Sequence, residues 1–363
     1  MGGRSAIEWT DATWQVTHGC SLVSPGCTNC YAMRVAGTRL KTLPQYAGLT
    51  REVNGAPVWT GGVRVAEDRT FTQPLRWRRP RKIFVNSLSD LFHPAVPDAT
   101  LINTFALMAA CPQHIFQVVT KRAKRMRHFL SDPATVEKVW FLAFQYQPRT
   151  TELANLRDQA AGAGWPLPNV WMLVSVEDQA RADERIPDLL ATPAAVRGIS
   201  AEPLLGRINL CHIQAPACFT GDDVDGWTFN ALARGDYYSF RDDRGFWEGG
   251  DGPQRDHRID WVIAGGESGP GARPAHPDWF RLLQGQCADA AVPFFFKQWG
   301  EWLPATRSLD CPTLFHPPFL GAAWREGPHD RTTRVGDDDH LCYRVGKKAA
   351  GAVLDGREHR EFP

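Results

Sequence analysis

The chain has 363 residues, a formal net charge of +1, 43% hydrophobic residues and 22% charged residues. This composition is typical of a folded globular protein, and the length is enough for one large α/β core or two smaller ones. No stretch approaches the roughly 18 uninterrupted apolar residues of a membrane-spanning helix, which predicts that the protein does not associate with membranes. A net charge near zero also provides no global field to recruit nucleic acid or lipid.

The first residues of the chain lack the apolar segment that follows the basic residues of a secretory signal, which predicts a cytoplasmic protein. The nine cysteines are then expected to stay reduced. They are therefore interpreted as metal ligands or reactive thiols rather than as a disulfide framework.

Short apolar runs recur along the chain, and most are followed by a segment that can be helical. The predicted strands are residues 14–17, 82–86, 116–120, 170–176, 196–200, 260–264 and 293–296. The predicted helices are residues 98–110, 121–130, 151–162, 178–190 and 277–290, with Asp98 and Asp178 as N-caps. Apolar strands that alternate with helices predict an α/β protein with a partial or complete (β/α) barrel of parallel strands. An open doubly wound sheet is the second choice.

The alternation of predicted strands and helices divides the chain into two parts. Residues 1–302 are predicted to form the barrel domain, with an insertion at about 208–258 where glycine, aspartate, arginine and aromatic residues show little periodicity. Residues 303–363 are rich in proline, glycine, aspartate and arginine, and are predicted to form a small loop-rich C-terminal extension.

Three cysteines, Cys20, Cys27 and Cys30, lie within eleven residues directly after the first predicted strand. A short loop with glycine and proline allows their thiolates to converge on one metal centre. Three thiolates can bind three irons of a four-iron cluster and leave the fourth iron open. Two alternatives are a structural zinc ion, with His18 or a distant cysteine as fourth ligand, and free thiols that only pack.

Polar residues and glycines follow the predicted strands at their carboxyl ends. They are Asn86, Ser87, Asp90, Lys121, Ser175, Glu177, Glu202, Gly265, Gly266, Glu267 and Lys297. Because the carboxyl ends of the strands of a (β/α) barrel converge on one site, these residues are predicted to bind a common ligand. The competing explanation for the acids is that they stabilise the first turns of the following helices.

Two basic runs, residues 76–82 and 121–128, interrupt the balanced charge of the chain. Lysine and arginine with interleaved aromatic residues can bind phosphates and stack on bases. A basic run on a helix is also commonly a solvated face, so both interpretations stay open.

Eight short motifs occur in a fixed order along the chain. They are IEWT at 7–10, NCYA at 29–32 closing the cysteine loop, VNSLSDLFH at 85–93, TKR at 120–122, VSVEDQ at 174–179, EPLLG at 202–206, GGESG at 265–269 and FFKQWG at 295–300. With these motifs the chain resembles a bacterial and phage family of three-cysteine proteins of unknown function. That family in turn resembles a divergent branch of the radical S-adenosylmethionine superfamily.

The resemblance implies a radical-SAM-like barrel in which Cys20, Cys27 and Cys30 bind a [4Fe-4S] cluster and the strand-end residues bind S-adenosylmethionine. It implies an external one-electron donor of the flavodoxin or ferredoxin type, and a 5′-deoxyadenosyl radical that takes hydrogen from a substrate. The occurrence of the family in phages suggests a nucleotide, DNA or RNA as the substrate of modification or repair. No residue is assigned as catalytic.

The chain departs from the superfamily's usual pattern at two places. Six residues separate Cys20 from Cys27 where the superfamily usually has three, and Asn29 stands where an aromatic residue is usual. The element Gly265-Gly266-Glu267 resembles a Gly-Gly-Glu element that holds the methionyl ammonium, but in the superfamily that element follows the second strand.

Two other functions are carried as alternatives. The first is a zinc-bearing nucleic-acid-binding protein without catalysis. The second is a metal-dependent hydrolase or nuclease on the same barrel, in which Asp90, Glu177, Glu202 and Glu267 hold a divalent ion.

Overall fold

A computed structural model describes residues 5–146, 150–215, 227–234, 237–241, 247–251, 257–307, 315–316 and 332–363. Its helices are α1 (Tyr31–Gly37), α2 (Asp68–Phe71), α3 (Asp98–Ala109), α4 (Ala123–Ser131), α5 (Pro133–Ala143), α6 (Thr151–Ala163), α7 (Gln179–Leu190), α8 (Pro277–Asp289) and α9 (Lys347–Ala350). Its strands are β1 (Ala12–Trp14), β2 (Thr17–His18), β3 (Thr50–Val53), β4 (Ala56–Trp59), β5 (Arg64–Val65), β6 (Lys82–Val85), β7 (Ile115–Thr120), β8 (Val170–Ser175), β9 (Val196–Ala201), β10 (Ile213–Gln214), β11 (Thr228–Phe229), β12 (Tyr237–Arg241), β13 (Trp247–Asp251), β14 (Trp261–Gly265), β15 (Phe294–Gln298), β16 (Trp302–Pro304), β17 (Thr306–Arg307), β18 (Phe315–His316), β19 (Thr332–Val335) and β20 (His340–Arg344).

The main sheet has seven strands in the order β1-β6-β7-β8-β9-β14-β15. The pairs β1 with β6, β6 with β7, β7 with β8, and β14 with β15 are parallel. Among the described strands β1 and β15 are the edges of this sheet, which forms a curled half-barrel. The predicted class, an α/β protein with a partial (β/α) barrel of parallel strands flanked by helices, is confirmed.

Each of the seven predicted strands overlaps a strand of this sheet, but the first ends earlier than predicted. Strand β1 stops at Trp14, and Thr17 belongs to β2, which pairs with β5 in an antiparallel ladder. The cause is Asn86, whose Oδ1 accepts the backbone N–H groups of Val16 (2.8 Å) and Thr17 (3.1 Å). These two hydrogen bonds direct the backbone away from the main sheet just before the cysteine loop.

The five predicted helices are present, and one of the two predicted N-caps is confirmed. Asp178 directly precedes α7, and its Oδ1 accepts the backbone N–H of Arg181 at 2.9 Å. The prediction for Asp98 is wrong, because Pro97 is the N-cap of α3 and Asp98 is its first helical residue. The Asp98 carboxylate instead pairs with Arg125 at 2.6 Å.

The chain divides into two compact units. The first comprises Met1–Ser175, Glu184–Ile199 and Arg255–Asp260, and the second comprises Val176–Asp183, Ser200–Gln254 and Trp261–Pro363. The predicted boundary near residue 302 and the predicted insertion stay predictions, since much of residues 208–258 and 303–363 lies outside the described residues.

Each unit has an aromatic core of its own. In the first, the rings of Phe92, Phe105 and Phe129 lie 5.8–6.3 Å apart between their centroids. In the second, the rings of Phe280, Phe296 and Trp299 lie 5.0–5.1 Å apart. Packing of this kind dominates the burial of apolar surface, and it fixes the strands whose carboxyl ends carry the candidate site residues.

Candidate functional site

The three cysteines of the loop lie in the first unit, between β2 and α1. Cys27 closes a 3₁₀ turn, and Cys30 directly precedes α1. Cys27 is buried, and Cys20 and Cys30 are half-buried. The thiols of Cys20 and Cys30 pack against a buried cluster formed by Ala32, Met33, Ala36, Tyr46, Leu49 and Trp59. Two of the three cysteines of the loop thus lie against apolar side chains.

The spacing of these thiols bears on the choice between zinc and an iron–sulfur cluster. A tetrahedral zinc ion with Zn–S bonds of about 2.3 Å needs its sulfur ligands about 3.8 Å apart. The ligands available at the loop are Cys20, Cys27, Cys30 and His18. Among the described residues, no three of these four have ligand atoms that all lie within 4.8 Å of one another. In any three of these residues, at least one pair of ligand atoms is therefore further apart than two ligands of one zinc ion.

Asp90 follows β6 and is buried beside the cysteine loop. Its Oδ1 accepts the Thr120 hydroxyl (2.7 Å) and the Phe92 N–H (3.0 Å). Its Oδ2 accepts the Lys121 N–H (3.0 Å) and the Arg122 guanidinium (2.7 Å). Both carboxylate oxygens are thus committed within the protein, and Asp90 holds Arg122 instead of facing a ligand.

Arg122 connects the carboxyl ends of β6 and β7 to the cysteine loop. Its Nη1 lies 3.8 Å from the Cys20 sulfur, and its Nη2 donates to the Ser21 carbonyl (3.2 Å) and the Ser21 hydroxyl (2.9 Å). The same hydroxyl lies 2.8 Å from Nε2 of His93. The sequence interpretation missed Arg122, although the TKR motif at 120–122 places it directly after a strand end.

Charges near the loop act on the thiols in opposite directions. Burial, followed by Asp90, raises the pKa of Cys20 to about 12, while Arg122 acts against this rise. Burial also raises the pKa of Cys30, against the backbone N–H of Met33 and the ammonium of Lys121. Without a metal these two thiols are protonated at neutral pH, so metal binding displaces their protons. Arg122 and Lys121 are the cations that offset the thiolate charge.

His93 supports the loop in its neutral form. Burial, followed by Arg122, lowers the pKa of His93 to about 4, while Asp90 acts against this shift. Because an unfolded histidine titrates near pH 6.5, the unfolded state binds more protons between pH 6.5 and pH 4. The contribution of His93 to stability is therefore present above about pH 6.5 and is lost as the pH falls towards 4.

We expect the urea midpoint of the wild-type protein to fall more steeply between pH 6.5 and pH 4 than that of His93→Gln, which has no titrating group at this position. Urea unfolding of both proteins at matched pH values measures the difference. Parallel pH profiles, or a His93 resonance that titrates near pH 6.5 by NMR, would contradict this role.

Three more predicted site residues form hydrogen bonds within the first unit: Asn86, Ser87 and Ser175. Asn86 is buried with φ +59°, and its Nδ2 donates to the Thr17 hydroxyl at 2.9 Å. The Ser87 hydroxyl donates to Gln15 at 3.3 Å, and its carbonyl accepts the Tyr31 hydroxyl. Ser175 is buried, and its carbonyl accepts Arg185 at 2.8 Å. These residues hold the approach to the cysteine loop and the end of β8.

The second unit brings together the remaining predicted residues: Glu177, Glu202, Gly265, Gly266, Glu267 and Lys297. Backbone bonds connect them, since Leu205 N–H donates to the Glu177 carbonyl (2.8 Å) and Leu204 N–H to the Gly265 carbonyl (2.9 Å). Glu202 and Lys297 form an ion pair of 2.6 Å over Gly265, where a Cβ would contact both side chains at 3.4 Å.

Glu267 is buried and forms a two-pronged pair with Arg273, which the sequence interpretation did not identify. Its Oε2 accepts Nε of Arg273 (2.8 Å) and its Oε1 accepts Nη2 (2.6 Å). The hydrogen bond to Glu267 raises the pKa of Arg273, and Glu177 adds to this rise through its charge. The three acids of this unit therefore lie near cations that the chain itself supplies.

Gly266 allows two backbone segments to meet in the second unit. A Cβ at this position would lie 1.9 Å from the Trp299 carbonyl oxygen. The Gly266 N–H donates to the Gln298 carbonyl at 2.8 Å, so the contact holds the end of β14 against the end of β15. Only glycine fits here without displacing one of the two strand ends.

We expect Gly266→Ala to lower the free energy of unfolding by more than about 3 kcal/mol, because overpacking costs about 1–3 kcal/mol even where side chains can move and this clash is with backbone. Urea unfolding followed by tryptophan fluorescence measures it. Gly285→Ala, where a Cβ meets open space in α8, is the matched control and should be stabilising by about 0.5–1 kcal/mol. Equal midpoints for the two variants would contradict the packing argument.

The arginines of the basic run at 121–128 form ion pairs within the protein. Arg122 pairs with Asp90, Arg125 with Asp98, and Arg127 with Asp188 at 3.1 Å. The run at 76–82 is different, since Arg78 and Arg79 are exposed and Arg81 lies over the ring of Trp77 at 5.1 Å. The run at 76–82 therefore offers the more accessible arginines.

The chain belongs to the family described as "Protein of unknown function (DUF5131)", whose model matches residues 4–363. This confirms the predicted membership in a family of unknown function. No curated protein and no solved structure matches the chain. Among the described helices, none combines the length and the apolar character needed to cross a bilayer.

Proposed function

We propose that this DUF5131 protein is a radical S-adenosylmethionine enzyme in which Cys20, Cys27 and Cys30 bind three irons of a [4Fe-4S] cluster. The observation that carries the proposal is the cysteine loop itself, where three thiols share one short segment, do not all lie within 4.8 Å of one another, and include two, Cys20 and Cys30, that pack against apolar side chains. Binding each thiolate to a different iron suits such spacing.

The residues around the loop fit an iron–sulfur cluster in charge and in burial. Arg122 lowers the energy of the Cys20 thiolate and Lys121 that of the Cys30 thiolate, and both cysteines pack against apolar side chains. When bound, the cluster would supply the electron that splits the sulfonium of S-adenosylmethionine and yields a 5′-deoxyadenosyl radical. The electron itself would come from an external donor of the flavodoxin or ferredoxin type.

The chain's own contribution is to hold the loop in place before the cofactors bind. Asp90 fixes the Arg122 guanidinium, and Arg122 fixes Ser21 and the Cys20 sulfur. Asn86 fixes the backbone that enters the loop. In this proposal Asn86, Ser87 and Asp90 support the cluster, and they are no longer candidates for direct contact with S-adenosylmethionine.

Glu202 and Lys297 keep the ligand-binding role in the proposal. Their side chains are 20% and 13% exposed, so the pair is reachable from solvent. A carboxylate and an ammonium side by side can each pair with one of the two charges of an amino acid once their own ion pair opens. For the substrate we propose a nucleotide, DNA or RNA, with the exposed Arg78 and Arg79 as phosphate-binding groups.

The two alternatives receive less support from the contacts. Because no three of the loop cysteines and His18 have all their ligand atoms within 4.8 Å of one another, they do not form a preformed zinc site. The proposed hydrolase has four acids as ligands, Asp90, Glu177, Glu202 and Glu267. Three of them, Asp90, Glu202 and Glu267, each form an ion pair with an arginine or a lysine of the chain. A divalent ion would have to displace all three of these partners.

Metal analysis of anaerobically purified protein tests the proposal. We expect about four iron atoms and about four sulfides per chain, with a brown colour that bleaches on reduction. One tightly bound zinc ion and a colourless protein would instead favour the zinc-bearing binding protein.

A further inference from the structure

A second group of possible metal ligands lies in the second unit, away from the cysteine loop in sequence. His276 directly precedes α8, Asp338 lies in the turn between β19 and β20, and His340 is the first residue of β20. One ligand atom from each of these residues lies within 4.8 Å of the other two. Both histidines are buried, and the Asp338 side chain is 38% exposed.

The distances within this group suit ligands of one ion. Nε2 of His276 lies 2.9 Å from Oδ1 of Asp338, and the two imidazole rings lie 4.9 Å apart at 74°. Adjacent ligands about 2.1 Å from a metal ion are about 3 Å apart, so the His276 and Asp338 atoms already have this separation. An edge-to-face arrangement also allows both rings to direct a nitrogen towards one point.

The hydrogen bond of His340 fixes its tautomer. Its Nε2 lies 3.0 Å from the Ala305 carbonyl, which can only accept, so Nε2 carries the proton. The lone pair is then on Nδ1. A metal-binding histidine commonly donates its other N–H to a carbonyl or a carboxylate in this way, which orients the ring and raises its basicity.

For His276 the corresponding acceptor is the carboxylate of Asp278. In the metal-free protein Nδ1 of His276 accepts the Asp278 backbone N–H at 3.1 Å, so Nε2 carries the proton and faces Asp338. An ion at Nε2 would shift the ring to its other neutral tautomer, with the proton on Nδ1. The Asp278 carboxylate lies 3.9 Å from Nδ1, beyond hydrogen-bond distance, so the ring has to release the Asp278 N–H and turn towards this carboxylate before the carboxylate accepts that proton. Arg281 holds the same carboxylate at 2.7 Å.

The turn that carries Asp338 is shaped to approach His276. Gly336 has φ +78°, and a Cβ there would lie 2.8 Å from Cδ2 of His276, which only a glycine avoids. Two members of the group, His276 and Asp338, line a cavity of about 580 Å³ together with Trp279, Arg207 and Arg281 among others. An ion bound here would have coordination positions that face this cavity.

From this geometry we propose that His276, Asp338 and His340 bind a divalent first-row transition-metal ion, with the remaining positions open to the cavity. Two imidazoles favour zinc or iron over magnesium or calcium. Two histidines and one carboxylate are also the donor set of metal sites that keep open positions. The proposal does not rest on the cysteine loop or on the function proposed for it.

Titration of the full-length chain with Co²⁺, followed by visible absorption, tests the site. Cobalt bound by nitrogen and oxygen gives weak d–d bands, whereas cobalt bound by thiolates adds strong charge-transfer absorption, so the two sites are distinguished. We expect one equivalent of Co²⁺ to bind without charge-transfer absorption. Asp338→Asn and His340→Gln should each weaken this binding by more than about 100-fold, and Asp278→Asn by about 10–100-fold, the range typical of outer hydrogen-bond partners.

Asp339→Asn is the matched control, since it removes the same charge from the same turn at a residue outside the group. It should bind Co²⁺ as the wild type does. A wild-type protein that takes up cobalt only with charge-transfer absorption would overturn the proposal, and so would unchanged binding in folded Asp338→Asn. The wild-type titration decides the question even if His340→Gln fails to fold.

Discussion

Replacing Cys27 with alanine is expected to reduce the iron content from about four atoms per chain to near zero. Two remaining thiolates cannot hold a four-iron cluster, and Cys27 has a buried position in the middle of the loop. The substitution removes only the sulfur of a small side chain, so the fold should persist. Iron and sulfide analysis after anaerobic purification measures the loss, and circular dichroism confirms the fold.

Cys211→Ala is the matched control for this variant. Cys211 is a half-buried free thiol of the second unit, outside the loop. It should retain full iron and sulfide. If Cys27→Ala keeps its iron, or if both variants lose it equally, the cysteine loop does not bind the cluster.

Asp90→Asn is expected to lower the free energy of unfolding by about 3–5 kcal/mol, because it leaves the Arg122 charge buried without its carboxylate. The two side chains are 8% and 9% exposed, so water cannot replace the lost partner. The new amide also turns a donor towards groups that donate to Asp90. Urea unfolding of the metal-free, reduced protein measures the effect.

Two further variants make this prediction specific. Asp98→Asn breaks an ion pair whose carboxylate is 72% exposed, and should cost at most about 1 kcal/mol. The double variant Asp90→Asn with Arg122→Met should recover part of the stability, since no unpaired charge stays buried. Equal losses for Asp90→Asn and Asp98→Asn would show that the Asp90–Arg122 pair does not hold the loop.

The parallel strands could be predicted from sequence because each is a continuous apolar run between polar ends, as in Val170–Ser175, where every residue is buried. The end of β1 could not, since it depends on a side chain 70 residues away, Asn86, binding the N–H of Val16. Helix α5 was also missed. It begins at Pro133, directly after its N-cap Asp132, which directly follows α4, so a helix start signal was present in the sequence.

The cysteine loop was visible in the sequence because its three thiols are close along the chain. The partners of the predicted acids were not, because Arg122 and Arg273 are recognised only when the strand ends are in place. The sequence shows a carboxylate but not the cation beside it. The group of His276, Asp338 and His340 could not be predicted for the same reason. His276 and Asp338 are 62 residues apart, and no local sequence pattern connects them.

The measurement that tests the central claim most directly is chromatography for 5′-deoxyadenosine after the iron-loaded protein is reduced anaerobically with S-adenosylmethionine. The account predicts 5′-deoxyadenosine and methionine in equal amounts from the wild-type protein, and neither from Cys27→Ala. Intact S-adenosylmethionine after reduction of a protein with a full complement of iron and sulfide would contradict the account.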